Sequence, residues 1–175
     1  MKISDISHLK ELADGGNPNA QYEYGQICYQ EAAKDLGDYE ESFYYFSLAA
    51  EQGHVDACFC VGAAYYHGEG VEQSYTESVK YFRLAAEKNQ VNALYNLGIC
   101  YENGFGVEDD LKIALGYYRR AARLGYGQAK KAARDVKRLL RSLESVWFRI
   151  GRKLLWSLLF VFLGFAVRMV MLWLE

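Results

Sequence analysis

Proline is nearly missing from this sequence, with a single residue, Pro18, in 175. Helices therefore run without interruption, and with 51% apolar residues the composition excludes a disordered, linker-like chain. Histidine is scarce too. His8, His54 and His67 fall at a cap, a turn and a helix end, with no H-x-x-x-H and no nucleophile and acid at recognisable spacing. The four cysteines, Cys28, Cys58, Cys60 and Cys100, never form C-x-x-C, so no zinc or redox motif is present. They read as small buried hydrophobes in a reducing compartment. The N-terminal MKISDISHLKEL lacks the apolar core of a secretory signal. No catalytic residue, metal ligand or cofactor is expected, and no enzyme.

Net charge is also low, at −2, but that figure hides an asymmetry. Residues 1–126 carry 10 Lys and Arg against 19 Asp and Glu, a balance of −9. Residues 127–153 carry 9 against 2, a balance of +7. Phosphate binding along the body would need a basic track there, so nucleic acid is not an expected partner.

What the sequence does have is repetition. Ala20, Ala57 and Ala93 lie 37 and 36 residues apart, and Gly25, Gly62 and Gly98 keep the same offsets. Ala49-Ala50, Ala85-Ala86 and Ala121-Ala122 recur every 36, each followed by Gly53, Asn89 or Gly125. A period of this length marks a solenoid, and the fold class expected is all-α. First helices are predicted at about 19–30, 55–67 and 91–103, and second helices at about 38–52, 75–88 and 110–124. The recurrent glycine inside each first helix predicts close approach of another backbone. The Gly68-Glu69-Gly70-Val71 and Gly104-Phe105-Gly106-Val107 loops read as structural turns. In the first repeat Glu31 to Gly37 takes their place. In the second helices Tyr45, Tyr81 and Tyr117 stand in register, as do Phe46, Phe82 and Tyr118, which reads as packing.

Ala93, Leu97-Gly98, Tyr101, Gly104, Gly106-Val107, Asp109, Lys112, Ala114, Tyr117-Tyr118, Ala121-Ala122 and Gly125 together resemble the Sel-one-like repeat (SLR), one of the tetratricopeptide-repeat-like helical solenoids. The second repeat departs at Asn89. The first keeps Ala20, Gly25 and Ala49-Ala50 without the glycine loop. The resemblance covers residues 19–126 and implies a right-handed α-solenoid of helix pairs that acts as a scaffold or adaptor for other proteins, with no catalytic residues. The organisation expected is a capping half-repeat (1–18), repeats at 19–54, 55–90 and 91–126, a basic capping or juxtamembrane helix (127–153) and a transmembrane helix (154–174).

By analogy with related repeats, the first helices line the concave face. The positions three before, one after and four after each glycine are then Tyr22, Gln26 and Tyr29, Phe59, Ala63 and Tyr66, and Tyr95, Ile99 and Glu102. Rings are usual interface anchors, so a groove for an apolar or helical peptide of a protein partner is expected. The competing reading is that the rings only pack between repeats.

Leu154 to Leu174 is an apolar run of 21 residues, about 31 Å as a helix and enough to span a hydrocarbon core. Trp156 and Trp173 sit near its ends, and Arg149, Arg152 and Lys153 precede it. The positive-inside rule then keeps the repeats in the cytosol, at the inner membrane if the source is bacterial. Arg168 within the run either snorkels to the far interface or pairs with a neighbouring transmembrane helix. The basic helix ahead of the run suits anionic membrane lipids. The function expected is a membrane-tethered adaptor. The alternative is a structural or inhibitory, toxin-neutralising subunit assembled through the membrane helix.

Overall fold

The computed structural model describes residues 3–35, 39–148 and 150, and among them there are helices and turns but no strand. Two compact units divide the chain, Met1–Arg134 and Asp135–Glu175. Seven helices follow one another in the first: α1 (Ile3–Asp14), α2 (Pro18–Asp35), α3 (Glu40–Glu51), α4 (Val55–His67), α5 (Tyr75–Glu87), α6 (Val91–Asn103) and α7 (Leu111–Arg123). An eighth, α8, covers residues 127–148 and begins before the division. The principal contacts follow chain order, each helix on the next, so α2/α3, α4/α5 and α6/α7 are the repeated pairs.

Local chemistry starts and stops these helices where the period demands. Pro18 opens α2, where its missing N–H costs nothing, and the Asn17 Oδ1 accepts from the backbone of Asn19 and Ala20 at 3.0 and 3.1 Å. At the equivalent place in later repeats the cap is His54, whose Nδ1 accepts from Ala57 N (3.2 Å), and Gln90, whose Oε1 accepts from Ala93 N (2.7 Å). Ser74 and Asp110 cap α5 and α7 in the same manner. Gly68 and Gly104 end α4 and α6 in the left-handed region, with φ of 76° and 73°.

Two expectations are corrected. The helix glycines receive a ring and not a backbone. A Cβ on Gly25 would stand 2.9 Å from the Phe46 ring, one on Gly62 2.6 Å from Phe82, and one on Gly98 against Tyr118. Each ring belongs to the second helix of the same repeat, so the glycine is the seat for the aromatic three residues before the Ala-Ala pair. Backbone approach occurs instead at the loops. Gly70 and Gly106 have positive φ, and a Cβ there would strike the Tyr39 and Tyr75 carbonyls, at the start of the preceding repeat's second helix. The second correction concerns α2, which continues to Asp35. Glu31, Ala32, Ala33 and Lys34 are good helix formers, and no glycine stands where Gly68 and Gly104 halt its counterparts.

Phe46, Phe82, Val61, Leu94, Leu97 and the Ala pairs form one continuous core, which Ala129 of α8 joins. A smaller cluster of Ala13, Ala20, Tyr24 and Tyr45 joins α1 to the first repeat, and Tyr45 donates to Asp14 at 2.6 Å. The stretch 154–174 and the positions Arg149, Arg152, Lys153, Trp156, Arg168 and Trp173 lie outside the described residues. Among the described residues, no helix is long and apolar enough to cross a membrane.

Candidate partner-binding groove

The first helices present their exposed side through the positions named above, and the structure sorts these into three groups. Tyr22, Phe59 and Tyr95 do the same job in each repeat: each packs on the ring that covers the helix glycine. Ring centroids are 5.9 Å apart for Tyr22 and Phe46, 5.9 Å for Phe59 and Phe82, and 5.5 Å for Tyr95 and Tyr118. Tyr22 also stacks on His54 at 4.5 Å, and Tyr95 lies 5.0 Å from Tyr126, so the residues that lead into α4 and α8 cover these two rings from the other side. These three rings thus pack against neighbouring rings of the solenoid.

Tyr66 is drawn into a second cluster, edge-on to Tyr75 (5.2 Å) and Phe105 (6.0 Å), while Tyr75 and Phe105 stack at 4.9 Å. This ties the loop of the third repeat to the second. Ile99 is half-buried. Glu102 accepts a 2.6 Å hydrogen bond from the Tyr118 hydroxyl, so its carboxylate already has a partner inside the repeat.

The third group makes a cavity. Gln26, Tyr29 and Gln30 of α2 face Phe59, Cys60, Ala63, Ala64 and His67 of α4 across a partly open pocket of about 340 Å³, with Ser42 and Phe46 also lining it and Glu69 contributing its charge. Tyr29 and Phe59 are the two expected groove aromatics that it brings together. Cys60, His67, Glu69 and Gln30 were missed by sequence reasoning. Cys60, Ala63 and His67 stand three and four residues apart on one face of α4, and Gln26 and Gln30 are similarly spaced on α2, so extending the position rule by one turn would have found most of them.

The lining is chemically quiet. Burial pushes the Cys60 thiol up to about 12, with the Asp56 carboxylate adding to it. Burial also raises the Tyr29 hydroxyl, and Glu69 beside it adds to the shift. Near neutral pH both groups are protonated and neither is a nucleophile. Apolar walls with a few polar groups at the edge suit binding of a side chain more than a reaction. Among the described residues, no cluster of His, Cys, Asp or Glu is arranged to hold a metal ion.

Comparison with known proteins agrees with this architecture. A family model described as Sel1 repeat matches residues 18–54, 55–90 and 91–126. The chain is similar to a protective antigen of uropathogenic Escherichia coli with an SLR fold, at 33% identity and a TM-score of 0.68, over 73% of this chain and 27% of that one. It thus spans about a quarter of that antigen. A Sel1 repeat protein from Oxalobacter formigenes is 32% identical with a TM-score of 0.64, over 76% of this chain and 99% of its own length. Helicobacter pylori cysteine rich protein B, at 23% identity and a TM-score of 0.57 over 73% and 96% of the two chains, shares the fold.

Proposed function

Because the chain belongs to the Sel1-repeat family, we propose that it is a non-enzymatic adaptor that holds a protein partner on the face formed by its first helices and is anchored to a membrane by residues 154–174. The observation that carries the binding half is the α2–α4 pocket, whose walls of Phe46, Phe59 and Ala63 take an apolar side chain while Gln26, Gln30 and Glu69 offer polar contacts at its edge. The solenoid sequence carries a balance of −9, which favours a neutral or basic partner segment and disfavours an acidic one. The anchoring half rests on the 21-residue apolar run and the basic residues before it, which favour repeats on the cytosolic side.

Ala63→Trp tests the pocket, because an indole fills the space, with unchanged helical circular dichroism as the control that the fold survives. Capture of the partner by the full chain in detergent extracts falls by roughly 30-fold or more, the size of an interface hot spot. Gly116→Ala, at a site with open space around it, leaves capture unchanged. Replacing 154–174 with an unrelated anchor separates the readings. An adaptor keeps its partner, whereas a subunit assembled through the span loses it.

A further inference from the structure

Residues 135–148 and 150 form a helical stretch whose exposed apolar side chains have nothing in the solenoid's repeat pattern to account for them. Leu139, Leu143, Val146 and Ile150 are 46, 43, 39 and 46% exposed. Their spacing of four, three and four residues puts them within about 60° of one another at 100° per residue. Trp147, at 74% exposure, flanks this stripe. Lys137, Arg138 and Arg141 fall on the opposite half of the same helix by the same count, together with Glu144 and Phe148, the latter 71% exposed. Arg138 lies 3.8 Å from Asp135 with both side chains largely in water, a contact worth little that leaves the guanidinium available. A contiguous apolar strip in water signals an occupant.

We infer that residues 135–150 lie in the plane of an anionic bilayer surface, with the Leu139–Ile150 stripe at the acyl boundary and the basic half toward lipid phosphates. This deepens the membrane reading given above and rests on it. Charge decides the occupant. Residues 135–150 carry Lys137, Arg138, Arg141 and Arg149 against Asp135 and Glu144, a balance of +2 within a collar (127–153) of +7, and each Lys or Arg near an anionic surface contributes about 1 kcal/mol of attraction. A second copy of the helix fits the stripe's spacing but brings like charges together. Leu140, Ser142 and Trp147 border the stripe and leave only Asp135 and Arg149, at its two ends, to form ion pairs that would specify a coiled-coil partner. A bilayer covers the stripe while its phosphates meet the cations.

The test uses the full chain with Trp156→Phe and Trp173→Phe, leaving Trp147 as the single tryptophan reporter. The chain is reconstituted in vesicles of phosphatidylcholine, with and without phosphatidylglycerol, containing lipids brominated on the acyl chain. The expected result is a blue-shifted, bromine-quenched Trp147 in the anionic vesicles. Changing Lys137, Arg138 and Arg141 together to Gln then weakens surface association about fivefold per charge. Trp147 emission like that of free solvent in both lipids overturns the inference. So does a shift equal in both lipids that grows with the protein-to-lipid ratio, which means a second copy covers the stripe. Carbonate extraction of the same samples reads the membrane span separately. Extractable protein with quenched Trp147 sinks the span and keeps the surface helix, and resistant protein with unquenched Trp147 does the reverse.

Discussion

Ser78 has 0% exposure, and among the described residues its hydroxyl has no hydrogen-bond partner. The same register position holds Ser42 in the first repeat, which donates to the Tyr39 carbonyl at 2.8 Å, and Ala114 in the third. An unsatisfied buried hydroxyl costs on the order of 1–3 kcal/mol, so Ser78→Ala is predicted to raise unfolding free energy by about 1 kcal/mol in denaturant titration. Ser42→Ala is predicted to lower it. A destabilised Ser78→Ala would show that the hydroxyl has a partner after all. Gly62 gives the opposite case. Alanine there gains helix propensity of about 1 kcal/mol but meets the Phe82 ring, which is itself 0% exposed. Gly62→Ala is predicted to lose about 1–3 kcal/mol net, and adding Phe82→Leu recovers part of the loss. Full stability of Gly62→Ala alone would contradict the ring-seat account.

At the scale of elements, the glycine loops hold successive repeats in register. Gly106 combines φ of 70° with an approach to the Tyr75 backbone. Gly106→Ala thus pairs backbone strain with a clash that no rotamer relieves, and is predicted to cost more than about 2 kcal/mol, read as a lowered thermal midpoint. Gly125→Ala has the positive φ but open space, and a smaller loss is expected. Much of this level was legible in the sequence. The 36-residue period placed every repeat helix to within a few residues, because caps and glycines recur at fixed offsets. The end of α2 was not legible as a helix, since the missing glycine loop looked like an altered turn when its Glu-Ala-Ala-Lys composition simply extended the helix. The seat at Gly25, Gly62 and Gly98 was misread for a different reason. A recurrent helical glycine reports close approach without saying whether backbone or ring is the visitor.

The solenoid as a whole carries a titration signature. Burial raises the thiols of Cys28, Cys58, Cys60 and Cys100 above their ordinary 9.0 and the hydroxyls of Tyr22, Tyr24, Tyr45, Tyr81, Tyr95 and Tyr118 above 10.0. Each group keeps its proton longer when folded, so the unfolded chain binds fewer protons at alkaline pH and stability falls as pH rises. Stability is predicted to be flat below about pH 8 with respect to these groups and to decline steeply from pH 9 upward, followed by helical circular dichroism during melts. A midpoint unchanged to pH 11 would mean the rings and thiols are not held as described. The groove was only half legible at this scale. Tyr29 and Phe59 follow from the period, but whether a ring faces a partner or its own repeat depends on cap residues such as His54 and Tyr126, which no position rule specifies. The central claim, that a partner occupies the α2–α4 pocket, is tested most directly by placing a photo-crosslinking residue at position 63 or at position 116 of the full chain in cells. The account predicts a discrete adduct from position 63 that disappears with Tyr29→Ala, and none from position 116. An adduct from position 116 alone would contradict it and move binding to the opposite face.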